Sequence, residues 1–452
     1  MELIDEIDFS YSDQTLQDIE YIKRAGKVEA VQGGIIHVTG ISDMVRVGDI
    51  CHIVDDLFYN AQNNTIIYGE VISFTKDTVK ILGSDGDAGV RANMYVIPQK
   101  KQSIAPSKHW LGCVVDAFGC VIDEFGNKKK APQGTQEMPL KASPPDAAKR
   151  RSLGERLETN TNFTNSFLPI CRGQRIGLFA GSGVGKSTLL SHLARNVDVD
   201  IVVVGLIGER GREVNEFVHK TLTPEMRKKC VIIAVSSDQS ALLKRRGSYL
   251  TMAVAEYFRD QGKNVLLLFD SVTRFAEAQR QIALLAGEPP AMRAFPPSAF
   301  SESMGLCERA GTGCYGDKGG DITAIFTVLV QGSDMEEPIA DCIRGTIDGH
   351  ILLDRTIAER GLYPAVDILK SVSRALPDCA TEEENDILKK ARRIIAEFKD
   401  IEPMVRLGVY KQGASPVTDQ AVALYPQLEA FLYNLNNQND ISNTFNLLKD
   451  IK

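Results

Sequence analysis

The chain has 452 residues, enough for about three domains of roughly 150 residues each, with 43% hydrophobic and 25% charged content, as in an ordinary soluble globular protein. A net charge of −7 excludes a nucleic-acid protein that works through a broad basic face, and nine cysteines without a CxxC pair exclude a disulfide or zinc scaffold and point to reduced, cytosolic thiols. The six histidines show no metal-ligand spacing, the N-terminus is acidic where a signal peptide is basic, and the apolar runs are too short to span a bilayer.

Residues 1–26 form an acidic segment, with Leu16, Ile19 and Ile22 at helical spacing, expected to be an amphipathic partner-binding helix. Residues 27–97 carry strand-like runs at Lys27–Val31, Gly34–Val38, Asp49–Val54, Ile66–Phe74, Thr78–Leu82 and Asn93–Ile97, which together predict a small closed β-barrel. From residue 98 to about 170 the chain reads as a connector. Within it, two short strands are expected about Gly119, and Lys128, Lys129 and Lys130 are expected in an exposed loop.

Beyond Ile176, strand and helix patterns alternate. Ile201–Ile207, Val231–Val235, Val265–Phe269 and Thr323–Val330 read as strands; Phe217–Leu222, Leu250–Gln261 and Arg274–Ala286 read as helices. This alternation predicts an α/β fold with a parallel sheet covered on both faces. The expected domains are 98–375 for this layer and 376–452 for a helical domain. In the latter, Asp419–Leu435 is expected to be interrupted at Pro426, and the Asn-rich stretch Asn436–Asn446 to be loose.

The chemistry concentrates around IGLFAGSGVGKSTLL, Ile176–Leu190. An apolar strand, a glycine-rich turn and an amphipathic helix make a phosphate cradle that runs through Gly181, Ser182, Gly183, Val184 and Gly185 to Lys186, Ser187 and Thr188. Glycines let backbone N–H groups approach phosphate oxygens, and the helix points its positive end at them. Lys186 supplies charge for the β- and γ-phosphates of ATP, and the Ser187 hydroxyl suits Mg²⁺. Ala180 stands where the full pattern has a glycine. Asp270, at the end of an apolar strand, is placed to hold Mg²⁺, although an N-cap is the alternative role. Glu209 and Arg210 end another strand, where Glu209 can polarise an attacking water and Arg210 can reach phosphate.

AGSGVGKST, GLIGERGREVNEF, LLLFDSVTRFAEAQR, GEPPAMRAFPPS, DGHILLDR and YPAVDILKSVSR occur in that order. From about Gly26 to Leu435 the chain thereby resembles the flagellum-specific ATPases of bacterial type III export, which are similar to the catalytic subunit of rotary ATP synthases. The resemblance implies a barrel domain, a RecA-like P-loop ATPase domain and a C-terminal helical domain, assembled as a homo-hexamer. It implies Glu209 as the catalytic carboxylate, Glu213 in the Mg²⁺ water shell and Asp270 as the Walker B aspartate. Arg210 and Arg274 would lie near the γ-phosphate, Tyr363 would stack on adenine, and Arg374 would be an arginine finger for the next subunit. It also implies a cytoplasmic ATPase, peripheral to the inner membrane at the base of the export apparatus. Its partners would be a dimeric regulator on the N-terminal segment, a central stalk held by the pore-facing Gly287–Ser298 loop, a membrane export gate, and export substrates with their chaperones. The pattern is broken at NTNFTN, Asn160–Asn165, where a glycine followed by apolar and basic residues is expected.

Three other readings share these motifs. A virulence-type injectisome ATPase carries the same motifs, but the ERGLYPAVD and GSDMEEPIAD stretches look more like the flagellar branch. A hexameric RNA translocase would need a basic, aromatic-bearing barrel, which residues 27–97 lack, and no nucleic-acid partner is expected. A ring subunit without catalysis would lack Glu209 or Lys186, and both are present.

Overall fold

The structure, a computed structural model, describes residues 24–57, 66–99, 103–123, 126–316, 318–330, 334–413, 415–435 and 439–451. The expected N-terminal partner helix falls on residues outside this set. The chain divides into two compact units, Met1–Gln102 and Ser103–Lys452.

The first unit is a closed antiparallel barrel of β1 (Gly26–Gln32), β2 (Ile35–Thr39), β3 (Ile50–Val54), β4 (Ile67–Phe74), β5 (Thr78–Gly83) and β6 (Tyr95–Gln99), in the order β1-β2-β5-β4-β3-β6. Alternating β-branched residues fill it: Val28, Ile36, Val38, Ile53, Val71, Val79, Ile81 and Val96 are all buried. Closure leaves no open edge to pair with another chain. The six expected strand runs are these six strands.

In the second unit, β7 (Ser103–Ile104) pairs with β11 (Met138–Pro139). The other strands are β8 (Val114–Val115), β9 (Cys120–Ile122), β10 (Lys128–Lys130), β12 (Arg175–Ala180), β13 (Ile201–Glu209), β14 (Cys230–Ser236), β15 (Val265–Asp270), β16 (Ile322–Leu329), β17 (Gly349–Leu353) and β18 (Val372–Ser373). They form one sheet in the order β10-β9-β8-β14-β13-β15-β16-β12-β17-β18. The six strands from β14 to β17 are parallel. They are buried on both faces, which is why they read as continuous apolar runs. On β13, Val202, Val204 and Leu206 enter one core, and Val203 and Ile207 enter the other.

Helices α1 (Lys186–Asn196), α2 (Ala241–Asp260), α3 (Val272–Ala286), α4 (Pro297–Glu308) and α5 (Pro338–Thr346) cover the sheet. α2 starts well before the expected Leu250, because Ser240 caps it and Ala241, Leu242 and Leu243 of its first turn are buried. The expected Phe217–Leu222 helix is instead the helix Gly211–Glu216 running into a π-helical turn, Phe217–Thr221.

Three C-terminal helices complete the unit: α6 (Glu382–Arg406), α7 (Pro416–Leu432) and α8 (Ile441–Asp450). Thr381 and Glu384 form a capping box at the start of α6. Leu388, Ile395, Leu428, Phe431, Phe445 and Leu448 join the same core as α1.

Three expectations are corrected here. Lys128–Lys130 is a strand and not a loop: it pairs with β9 at the sheet's edge, where exposed lysines deter further pairing. Helix α7 runs through Pro426 without interruption. One missing backbone hydrogen bond is outweighed by burial of Leu424, Leu428, Phe431 and Leu432 and by Tyr425 stacking on Phe398 at 3.8 Å. The stretch up to Asn446 is not loose over its described part, since Asp440 caps α8 and Phe445 is buried; residues 436–438 lie outside the described set.

Candidate active site

Four adjacent strands, β13, β15, β16 and β12, deliver the site at their carboxyl ends. Ligands of open parallel sheets bind there. β12 ends at Ala180, and the turn that follows leads into α1 through Gly185, which caps the helix at φ +93°. Gly183 has φ +78°, so both positions need glycine. Val184, Leu189 and Leu190 anchor the turn in the core, while Ser182, Ser187 and Thr188 stay exposed.

Lys186 reaches across the sheet. Its Nζ donates to Asp270 Oδ1 at 2.6 Å and to Glu209 Oε1 at 3.2 Å. The three side chains are nearly buried, between 7% and 12% exposed. Burial pulls the Lys186 ammonium down, but the charges of Asp270 and Glu209 more than offset it, and its pKa lies above the ordinary value. Burial pushes the Asp270 carboxyl above the usual range and Glu209 adds to the push, while Lys186 and Thr327 pull it back. Thr327 of β16 donates its hydroxyl to Asp270 Oδ1 at 2.6 Å. One ammonium between two carboxylates leaves an acidic centre that calls for further positive charge.

The N-cap alternative for Asp270 fails: Ser271 caps α3 and accepts from Arg274 N at 3.4 Å. Arg274 lies against Gly208, where an added Cβ would stand 2.9 Å from the Arg274 Cβ and Cγ; Gly208 also has φ +73°. This contact puts Arg274 beside Glu209. Nη1 of Arg274 donates to Glu277 at 2.8 Å, and its buried Nε has no hydrogen-bond partner. Burial works against that guanidinium, but Glu277 outweighs it and its pKa is raised.

Other predicted residues stand apart from this centre. Arg210 is exposed, with only a 4.0 Å contact to Glu213, itself half-exposed on the turn after β13. Tyr363 is 45% exposed and borders the cradle, with its Cδ1 3.3 Å from where a Cβ on Gly185 would sit. Arg374 is not brought to the site. It is exposed just after the edge strand β18, and its N–H donates to the Asp348 carbonyl at 2.9 Å. Gly349 pairs with Ser373, so Arg374 sits at the amino end of β17, whereas the cradle leaves the carboxyl end of β12. Within one chain, Lys186 and Arg374 belong to opposite ends of the sheet.

The sequence reading missed Thr327, Gly208 and Glu277. A threonine within the apolar run of β16 was the available sign of Thr327. The site fits a magnesium nucleotide. The cradle has no side chain over Gly183, Arg274 carries a free buried donor, and a lysine and a serine stand at a helix N-terminus. Among the described residues no group of three or more His, Cys, Asp or Glu could hold a metal alone.

Residues 161–373 match the ATP synthase alpha/beta family, nucleotide-binding domain, and residues 380–450 match the T3SS EscN ATPase C-terminal domain. The flagellum-specific ATP synthase of Caulobacter vibrioides is 45% identical over 412 residues, 90% of each chain. The chain belongs to the flagellum-specific ATP synthase family. This family member is therefore an ATPase built on the barrel, RecA-like and helical architecture expected above. Its fold also matches the assembled ATPase EscN of the enteropathogenic E. coli type III secretion system, with a TM-score of 0.85 and 35% identity over 94% of this chain and 99% of that one. EscN in complex with its central stalk EscO matches at a TM-score of 0.83 and 35% identity, with the same coverage.

Proposed function

We propose that this ATPase hydrolyses Mg-ATP in a ring of six and energises export of flagellar proteins. The observation that carries the hydrolytic reading is the Lys186 ammonium held between Glu209 and Asp270 at adjoining strand ends. The flagellar branch is favoured over an injectisome by 45% identity to the Caulobacter relative against 35% to EscN.

In this reading the cradle from Gly181 to Thr188 binds the phosphates by backbone N–H groups, and Lys186 turns from its carboxylates to the β- and γ-oxygens. Ser187 and Asp270 would hold Mg²⁺, with Glu213 acting through its water shell. Bound there, Mg²⁺ supplies positive charge on the phosphate oxygens. Glu209 orients and polarises the attacking water. Arg274 and Arg210 meet γ-phosphate charge, Tyr363 stacks on adenine, and Arg374 completes the site of the neighbouring copy.

The proposed domains are 1–26 for regulator binding, 27–97 for the barrel, 98–375 for the ATPase and 376–452 for the helical domain. The proposed partners are a dimeric regulator, a central stalk in the pore, a membrane export gate, and exported subunits with their chaperones. No described helix is long and apolar enough to cross a membrane; the proposed location is cytoplasmic, peripheral to the inner membrane.

Glu209→Gln tests the chemistry. Turnover should fall by about 10²- to 10⁴-fold while Mg-ATP binding persists, and near-normal turnover would remove Glu209 from this role. For the biology, the gene should restore swimming to a flagellated strain lacking its own export ATPase. Restoration of injectisome secretion alone would overturn the flagellar assignment.

A further inference from the structure

The NTNFTN segment that departs from the family pattern builds a buried polar junction. Asn160 occupies the position where glycine is expected, and its φ of +52° lies in the left-handed region that asparagine tolerates. The chain then makes one short helix, Asn162–Asn165. Thr159, Thr161, Asn162, Thr164, Asn165 and Ser166 are all at most 1% exposed. Six polar side chains in a core are a cost unless every one is bonded.

The bonds run in two directions. Toward the phosphate cradle, Thr161 Oγ1 lies 2.6 Å from His192 Nε2, on the same helix α1 that begins with Lys186 and Ser187. The Thr161 hydroxyl also lies 3.2 Å from the Thr159 carbonyl, so the ring and the turn share one hydroxyl. Toward the C-terminus, Asn162 Nδ2 donates to the Phe431 carbonyl of α7 at 2.8 Å. Asn165 Nδ2 donates to the Asn439 carbonyl at 2.8 Å, and Asn439 Nδ2 returns a bond to Asn162 Oδ1 at 3.0 Å. Within the junction, Asn165 Oδ1 accepts from Thr159 N at 3.1 Å and from Thr159 Oγ1 at 2.7 Å. Glu158 accepts from Ile441 N, the first residue of α8, at 3.0 Å.

We propose that Thr161, His192, Asn162, Asn165 and Asn439 are positioning residues that couple the helix carrying Lys186 and Ser187 to the C-terminal helices α7 and α8. The proposal rests on the ATPase reading and adds to it a route between the nucleotide and the helical region. The physical reason lies in the chemistry of the contact. Apolar side chains slide past one another at small cost, and the flanking core of Phe163, Phe167, Phe431 and Phe445 alone would permit such slip. A bonded network has fixed directions, and moving one side without the other strands buried donors and acceptors. A displacement of α1 on nucleotide binding therefore carries the 159–166 turn with it, and the turn carries α7 and α8. In reverse, whatever displaces the C-terminal helices moves Lys186 and Ser187.

The experiment uses the full-length protein with Thr161→Val, which keeps the shape and removes the hydroxyl, and Thr161→Ser, which keeps the hydroxyl. Hydrogen exchange of residues 441–450 is followed with and without a non-hydrolysable ATP analogue plus Mg²⁺, beside steady-state kinetics. The wild type and Thr161→Ser should change exchange in α8 on adding the analogue, and Thr161→Val should not. Because a small misplacement of cradle groups is costly, kcat of Thr161→Val should fall by about tenfold to a hundredfold with KM for ATP within about twofold. Asn439→Ala, at the half-buried far side of the junction, should also lose the α8 response and keep its fold should Thr161→Val not fold. The proposal is overturned if α8 responds to nucleotide in both Thr161→Val and Asn439→Ala as in the wild type, or if Thr161→Ser is as impaired as Thr161→Val. A wild type that neither binds nor hydrolyses ATP would instead sink the ATPase reading itself.

Discussion

Thr327→Val removes a single hydroxyl from the centre of the site and nothing else. The Thr327 hydroxyl donates to Asp270 Oδ1 at 2.6 Å, both side chains are buried, and valine fills the same volume. A hydrogen bond to a charged group is worth about 1.5–3 kcal/mol. At 1.36 kcal/mol per pH unit, its loss raises the Asp270 pKa by about 1–2 units. Burial already holds that carboxyl above its ordinary value, so the change acts on a group poised to protonate. Asp270 must be ionised to hold Lys186 and, in the proposed role, Mg²⁺. As pH falls, activity is lost through the Asp270 pKa, and the variant loses it at a higher pH. The profile of kcat/KM reports groups of the free enzyme, which is the state described here. Its acid limb should move up by about 1–2 units in Thr327→Val, with the plateau retained within a few fold, and Thr327→Ser should keep the wild-type limb. An acid limb unmoved in Thr327→Val would refute the assignment of that limb to Asp270.

Stability should depend on the buried pair of Arg309 and Glu256, joined at 2.9 and 2.6 Å while Arg309 Nη1 donates to the Leu140 carbonyl at 2.7 Å. Arg309→Met strands the carboxylate and should cost about 3–5 kcal/mol, read from the urea midpoint by fluorescence of Trp110, the single tryptophan; a loss below about 1 kcal/mol would contradict burial of the charge. Gly208→Ala should slow hydrolysis by more than about tenfold, because a Cβ at positive φ forces Arg274 away from Glu209; wild-type turnover would show that the two need not adjoin. Lys186→Ala and Arg374→Ala should each be nearly inactive, and mixed rings of the two should regain measurable hydrolysis, since an arginine supplied by a neighbour is worth about 10³- to 10⁵-fold. Mixed rings that form and stay inactive would rule out a shared site.

Much of this arrangement is legible in the sequence because buried parallel strands are written as apolar runs that end in charge. Glu209 and Asp270 were found in this way, and the glycine spacing located Lys186. Elements held by tertiary contact left weaker marks. β18 is two residues long, and β10 is three lysines whose pairing with β9 no local propensity reveals. Proline reads as a break, yet α7 is held through Pro426 by the core beneath it. The Asn-rich tail reads as loose because its ordering comes from Phe445 and Leu448, two apolar residues spaced for one helical face. NTNFTN reads as a defect because burial of asparagine and threonine is visible only once their partners, distant in the chain, are folded around them. Thr327 was hidden likewise by the apolar strand that carries it.

The order of the central strands has a consequence for comparing relatives. Lys186 stands past the end of β12, while Asp270 and Glu209 are the last residues of β15 and β13, with β16 between β12 and β15. Their separation is ruled crosswise by strand spacing of about 4.8 Å per step, and not by the lengths of chain that connect them. Lengthening a connection such as Pro224–Arg227, between β13 and β14, leaves that ruler untouched. Gaps between motifs are therefore free to drift among homologues, and a search that fixes those gaps will discard true members. What cannot drift is the succession of strands, since a strand added within this part of the sheet would carry at least one of the two carboxylates about 4.8 Å further from Lys186.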